Sequence, residues 1–185
     1  MNGSPAPAAP ALPGQGAWAR LKRLLRHRWM DESDARRLVD DAALDRLQQR
    51  VQASERRHTG EIRLCIEAGL PVSYAWAGAS ARQRAVAMFG KLRVWDTEHN
   101  NGVLIYLLLA EHAIEVVADR GLACRVPPDE WDRLVAGMAS AFREGHFEAG
   151  LMQAIEAVEA LLVQHFPIKD AAARSNELPD RPYRG

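Results

Sequence analysis

The sequence predicts an α/β fold: a three-layer α/β/α sandwich whose small mixed central β-sheet is flanked by helices. Three observations predict it. Val103–Ala110 is the longest apolar run, and a second run, Ala113–Ala118, follows after Glu111-His112. Residues 61–68 alternate, with Ile62, Leu64 and Ile66 on one side and Arg63, Cys65 and Glu67 on the other. The segments around these runs carry apolar residues at helical spacing. A continuously apolar strand is buried on both faces, which requires helices above and below the sheet. Strand–helix–strand order implies a parallel, right-handed crossover. The short Glu111-His112 connection implies an antiparallel hairpin.

The elements follow in order. Residues 1–16 are rich in Ala, Pro and Gly and read as a disordered tail, with too little apolar surface to offset ordering entropy. Residues 17–30 read as a basic amphipathic helix. Trp18, Leu21, Leu24, Leu25 and Trp29 follow helical spacing, with Arg20, Lys22, Arg23, Arg26 and Arg28 around them. Two roles fit this helix: contact with a membrane surface or acidic partner, and docking on its own domain with its charges solvated. The main domain spans 31–167. It opens with a helix over about Asp34–His58, with a second start signal at Asp40-Asp41 that can break it, and stops at Thr59-Gly60. After the alternating strand, Gly69, Pro71 and Ser73 make a loop. A helix over Ala79–Leu92 turns Val86, Phe89 and Leu92 inward. Val94–Asn101 is a polar loop. Gly121–Pro128 is a second loop. Asp129 begins a helix to Arg143, its first-turn acids matching the helix dipole. Gly145-His146 separates it from the last helix, Phe147–His165, whose core stripe is Leu151, Ile155, Val158, Leu161 and Leu162; Pro167 stops it. Residues 168–185 read as a flexible tail.

Composition excludes several classes. With 185 residues, 48% of them hydrophobic and 26% charged, the chain can bury one real core and is neither disordered nor membrane-like. Its 24 basic and 24 acidic residues cancel, so no global field attracts nucleic acid. The N-terminal stretch has no basic n-region or apolar h-region, and no apolar run reaches the roughly 20 residues of a membrane span. The expectation is a cytoplasmic protein, with peripheral contact at the inner membrane open to the basic helix. Cys65 and Cys124 stand apart and read as two buried free thiols in a reducing compartment.

The strongest candidate site joins the two ends of the hairpin. Asp96, Glu98, Asn100 and Asn101 precede its first strand, and Asp119 follows its second. A turn at 111–112 brings residues 100–102 beside 118–120. These are hard oxygen ligands of the kind Ca²⁺ and Mg²⁺ take. The competing reading has Asp96 capping a turn, the asparagines supplying backbone-like hydrogen bonds, and Asp119 pairing with Arg120 or Arg93. For phosphoryl hydrolysis through a nucleophile or metal-bound water, Asp119 would act with Asp96 as its partner. No phosphate loop, zinc spacing or Ser/His/Asp arrangement accompanies them. His58, Glu55 and Glu61 cluster at the first helix–strand junction and fit a capping role.

Several segments together closely resemble one family. They are Thr59-Gly60-Glu61-Ile62-Arg63, a helix containing Phe89, Asn101-Gly102-Val103-Leu104-Ile105 with its hairpin, and Phe142-Arg143-Glu144-Gly145-His146-Phe147-Glu148-Ala149-Gly150-Leu151. The family is the TPM domain of thylakoid lumen acid-phosphatase-like and bacterial envelope proteins. The resemblance covers roughly Ala35–Phe166. It implies the α/β/α sandwich. It also implies one of three roles: phosphatase, binder of a divalent metal such as calcium, or accessory factor. Implied partners are membrane-associated proteins, such as a LemA-like protein or another TPM-domain protein. Where many members carry Gly-Tyr-Gly-Leu-Glu after the second central strand, this chain has Asp119-Arg120-Gly121-Leu122-Ala123. The expected function is therefore a non-enzymatic interaction module that binds a divalent metal, with a metal-dependent phosphatase as the alternative. Its partner-binding residues would be Trp18, Arg20, Lys22, Arg23 and Arg26.

Overall fold

The computed structural model describes residues 15–30, 32–168 and 176–185. The segment 1–14, most of the expected N-terminal tail, lies outside the described residues, as do Asp31 and 169–175. Eight helices and four strands are described: α1 Gln15–Trp29, α2 Glu32–Leu38, α3 Asp41–Glu55, β1 Glu61–Glu67, α4 Val72–Trp76, α5 Ala81–Lys91, β2 Gly102–Leu108, β3 Ala113–Ala118, α6 Arg120–Ala123, α7 Pro128–Arg143, α8 Phe147–His165 and β4 Tyr183–Arg184.

The sheet order is β3-β2-β1-β4. β1 and β2 are parallel, from Glu61 opposite Gly102 to Glu67 opposite Leu108. β2 and β3 are antiparallel, from Val103 opposite Ala118 to Leu108 opposite Ala113. A single 3₁₀ turn, Leu109–Glu111, and a left-handed His112 (φ 50°) close the hairpin. Every residue of β1 and β2 is buried. Strand alternation then makes two cores. Ile62, Leu64, Ile66, Val103, Ile105 and Leu107 pack with residues of α2, α3, α7 and α8. Cys65, Leu104, Tyr106 and Leu108 pack with Ala81, Ala85 and Met88 of α5 and with Ala75 of α4. Two cores on opposite faces of one mixed sheet make the three-layer sandwich that the apolar runs predict.

The long first helix of the domain is in fact two. Leu38 ends the first, and Asp40 caps α3 by accepting a hydrogen bond from Ala43 N at 2.7 Å. The partner of α3 in its layer is α8. Arg50 and Arg57 both bind the carboxylate of Glu159 on α8. Burial pushes Glu159 up, but the two guanidinium groups outweigh it and hold the carboxyl below its ordinary range.

Three expectations are corrected. First, α5 does not turn Val86 inward: Val86 is 51% exposed, while Ala81, Arg84, Ala85 and Met88 are buried. The reason is a buried ion pair. Arg84 Nε and Nη2 meet Glu67 Oε2 and Oε1 at 2.8 and 2.5 Å, and Tyr106 Oη donates to Glu67 Oε2 at 2.7 Å. A buried carboxylate must be paired, and Arg84 sets the rotation of its helix to reach it. The Glu67 hydrogen bonds raise Arg84 above its ordinary value, and burial with the nearby carboxylate raises Tyr106. Second, the segments expected as loops after Pro71 and Asp119 each wind into a short helix, α4 and α6. Third, the C-terminal segment 176–185 is not loose. β4 pairs parallel with β1, Cys65 opposite Tyr183 and Ile66 opposite Arg184. Arg63 donates to the carbonyls of Pro179 and Arg181. Arg184 binds Asp41 at 2.7 Å. The half-polar side of β1 thus buries its arginine by feeding its protons to the returning chain.

Both cysteines are free thiols, but Cys124, expected to be buried, is exposed. Cys65 is buried, and burial raises its thiol far above the ordinary range, so it stays protonated. No helix among the described residues is long and apolar enough to cross a membrane.

Arg84→Ala is expected to lose about 3–5 kcal/mol in urea unfolding, because it strands the Glu67 charge in the core. Tyr106→Phe keeps the ion pair and is expected to lose about 1.5 kcal/mol. Equal losses in the two variants would contradict the assignment of α5 rotation to the ion pair.

Candidate functional site

The mouth of the β2–β3 hairpin is built by close backbone contacts. Two backbones can touch only where no Cβ intervenes. A Cβ on Gly102 would lie 2.0 Å from the Val94 carbonyl oxygen, and one on Gly121 would lie 2.4 Å from the Asn100 carbonyl oxygen. Gly121 N donates to that Asn100 oxygen at 2.9 Å, and Asp119 N donates to Gly102 O at 2.8 Å. The loop before β2 enters through a left-handed Asn100 (φ 51°). Thr97 Oγ1 accepts from Asn101 N at 3.1 Å, and Asn101 Nδ2 donates to Thr59 O at 3.0 Å.

The predicted site residues divide into two groups. Asn100, Asn101 and Asp119 come together at the mouth through these bonds. Asp96 and Glu98 stay on the outer part of the loop, both exposed. Asp96 faces Arg93 at 4.0 Å, and Glu98 N is capped by the Glu177 carboxylate at 3.0 and 3.3 Å. Asp119 is the N-cap of α6, its Oδ1 accepting from Arg120 N at 2.7 Å. Arg120 turns back to Asn100, with Nε and Nη2 at 3.2 and 3.1 Å from Oδ1. Arg120 and Glu177 are the residues that sequence reasoning missed here. Arg120 was legible as a partner but not as the partner of Asn100, and Glu177 arrives from the far end of the chain.

Two oxygens at the mouth are left over. Asn101 Oδ1 and Asp119 Oδ2 are buried with no hydrogen-bond partner. Buried polar atoms are ordinarily satisfied, so such orphans mark a place where a donor or cation fits. Both are hard oxygens, the donor type of calcium and magnesium. The charge is low, with one carboxylate and an arginine close by. Among the described residues no three His, Cys, Asp or Glu side chains gather to hold a metal ion.

An open groove of about 600 Å³ runs alongside, between β3 and α7. Arg82, Glu115, Val116, Ala118, Val126 and Trp131 are among its lining residues. Burial raises Glu115, with Arg82 opposing. The junction residues read as caps behave as such. His58 Nδ1 donates to Gly60 O at 3.0 Å, leaving Nε2 to accept from Ser54 Oγ at 2.9 Å. Glu55 and Glu61 accept from Ile62 N and Leu178 N.

Comparison with known proteins is decisive for the family. The model of the TPM domain matches residues 33–161. This chain belongs to the TPM-domain family. No curated protein gives a significant match. The solution NMR structure of the BA42 protein from the psychrophilic bacterium Bizionia argentinensis is similar in fold, with a TM-score of 0.68 and 26% identity. The match covers 78% of this chain and 93% of that one.

Helix α1 precedes the matched region and is seated on this TPM domain along one side. His27 is buried, with Nδ1 accepting from Leu70 N at 3.1 Å. Its other nitrogen therefore carries the proton donated to Glu111 Oε1 at 2.9 Å. Arg23 Nε binds the same oxygen at 2.6 Å, and Nη2 binds Ala79 O at 2.5 Å. Arg23, expected to bind a partner, is thus spent on the domain itself. The fit is close, since a Cβ on Gly69 would sit 2.8 Å from the His27 carbonyl oxygen. Of the other residues expected to bind a partner, Trp18, Lys22 and Arg26 are exposed, and the side chain of Arg20 lies outside the described part of the structure.

Burial pushes Glu111 up, but the hydrogen bonds from Arg23 and His27 outweigh it and hold its carboxyl below the ordinary value. A depressed folded value stabilises the folded form above the unfolded value of about 4.3, and the gain is lost as pH falls through the folded value. Acid titration is therefore expected to release α1 below about pH 4, seen as a change in tryptophan emission, and Glu111→Gln to abolish that step. Gly121→Ala is expected to cost about 1–3 kcal/mol in denaturant titration, because the Asn100 backbone must move. An unchanged midpoint would contradict the close approach at the mouth.

Proposed function

We propose that this TPM domain is a non-enzymatic interaction module that works beside membrane-associated partners, such as a LemA-like protein or another TPM-domain protein. The observation that carries the reading is the division of labour in α1. Arg23 and His27 pin one side of the helix to the domain, while Trp18, Leu21, Leu25 and Trp29 remain exposed on it. A helix held this firmly with its largest apolar side chains outward is suited to binding. The alternative, a metal-dependent phosphatase, has weaker support. Its two proposed acids are separately engaged, Asp119 as a helix cap and Asp96 with Arg93.

A second element of the reading is a weak divalent-cation contact at the hairpin mouth, supported by the orphaned Asn101 and Asp119 oxygens. A cation there would draw the two strand ends together and supply no step of a reaction.

The test is a calcium and magnesium titration followed by thermal unfolding, with a phosphate-ester assay on the same samples. The melting temperature is expected to rise saturably at metal concentrations of about 10⁻⁴–10⁻³ M, and to do so less in Asp119→Asn and in Asn101→Ala. No shift at these concentrations removes the cation from the reading. Turnover of p-nitrophenyl phosphate is expected to stay at the uncatalysed rate. Metal-dependent turnover that collapses in Asp119→Asn would replace the module with a phosphatase.

A further inference from the structure

The outward side of α1 has a definite pattern. At about 100° per residue, Trp18, Leu21, Leu25 and Trp29 fall within an arc of about 80°. His27, the buried anchor, lies opposite. Exposed cations border the arc on both sides, Lys22 and Arg26 along one margin and Arg28 along the other. Trp18 is 68% and Trp29 80% exposed, so the aromatic residues near both ends of the helix face outward. The helix α4 packs beside α1, lining a small cleft with Leu24, His27 and Arg28. It adds Val72 and Trp76, the latter 74% exposed. Neither α1 nor α4 contains an acidic residue, while α1 alone carries five Lys and Arg. This local excess stands in a chain of zero formal net charge.

We infer that the α1–α4 face docks on an anionic lipid surface. The inference rests on the interaction-module reading and names the partner of that same helix. Charge complementarity is the first argument, for two helices without an acidic residue and with cations on both margins of the stripe suit phosphate headgroups on either side of it. Chemistry is the second. Tryptophan has an apolar body and a polar N–H, and it settles at the boundary between headgroups and acyl chains. The long stems of Lys22, Arg26 and Arg28 let the stripe sink while their charged ends stay at headgroup level. The anchoring bonds of Arg23 and His27 are the third. The helix is already folded and held on the domain, so docking does not have to order it.

The test is co-sedimentation of the full chain with vesicles of phosphatidylcholine alone and of phosphatidylcholine mixed with phosphatidylglycerol. Soluble polyglutamate serves as a lipid-free acidic competitor. The chain is expected to sediment with the anionic vesicles only, and less so at high salt. Neutralising Lys22, Arg26 and Arg28 to glutamine is expected to weaken binding on the order of 100-fold, from about fivefold per cation. Trp18→Ala with Trp29→Ala is expected to abolish it. Both variants change exposed side chains, and unchanged circular dichroism and melting temperature check that each is folded. Failure to sediment with anionic vesicles, or equal sedimentation of the glutamine variant, overturns the inference. Tighter binding to polyglutamate than to vesicles also overturns it but keeps the module reading. Binding to neither overturns both.

Discussion

A buried carboxylate in an inner strand of a sheet has no water to turn to. Glu67 ends β1 inside the second core, and leaving it bare would cost several kcal/mol. The structure answers with a two-pronged arginine from α5 and a tyrosine hydroxyl from β2. That one requirement ties three elements together. It orients α5 about its axis, buries Tyr106 beneath it and sets which residues line the second core. The helix is therefore packed by alanines, a methionine and an arginine, with Val86 left outside.

The opposite end of the sheet is governed by space instead of charge. Gly102 lets the Val94 carbonyl approach β2, and Gly121 lets α6 lie against Asn100. The mouth is consequently made largely of backbone. Asp119 is drawn into a helix cap and Arg120 folds back onto Asn100. A charged cluster of loop residues thus becomes a scaffold joint, with two oxygens left over. Asp119 and Arg120 are both engaged in holding this joint.

Helix α1 shows that a basic amphipathic segment can dock on its own domain and still leave an apolar stripe exposed. Docking on the domain and presenting a surface are alternatives only if the helix has one useful side. Here the side of His27 and Arg23 is spent on Glu111, Leu70 and Ala79, and the opposite side carries the tryptophans. The exposed stripe repeats at positions 18, 21, 25 and 29, visible in the sequence as helical spacing. Which of the apolar residues faces the domain was not visible there. Leu24 shares the spacing yet turns inward toward α4 and its core.

By itself the sequence determined the sandwich. Long apolar runs must be covered on both faces, a short connection must be a hairpin, and residues such as Asp40 and Gly102 carry their local meaning with them. It also carried the family resemblance, in Asn101-Gly102-Val103-Leu104 and in the Phe142–Leu151 segment. Tertiary structure alone decided the rest. The rotation of α5 depends on a charge seventeen residues away in the chain, between Arg84 and Glu67. The return of Tyr183–Arg184 to β1 depends on an arginine over a hundred residues earlier that needs acceptors, Arg63. The place of Asp119 depends on the contact of Gly121 with the backbone of Asn100, on the far side of the hairpin. Periodicity reports what faces inward on average. Pairing of buried charges and contact between backbones are long-range satisfactions, and no local pattern encodes which partner will supply them.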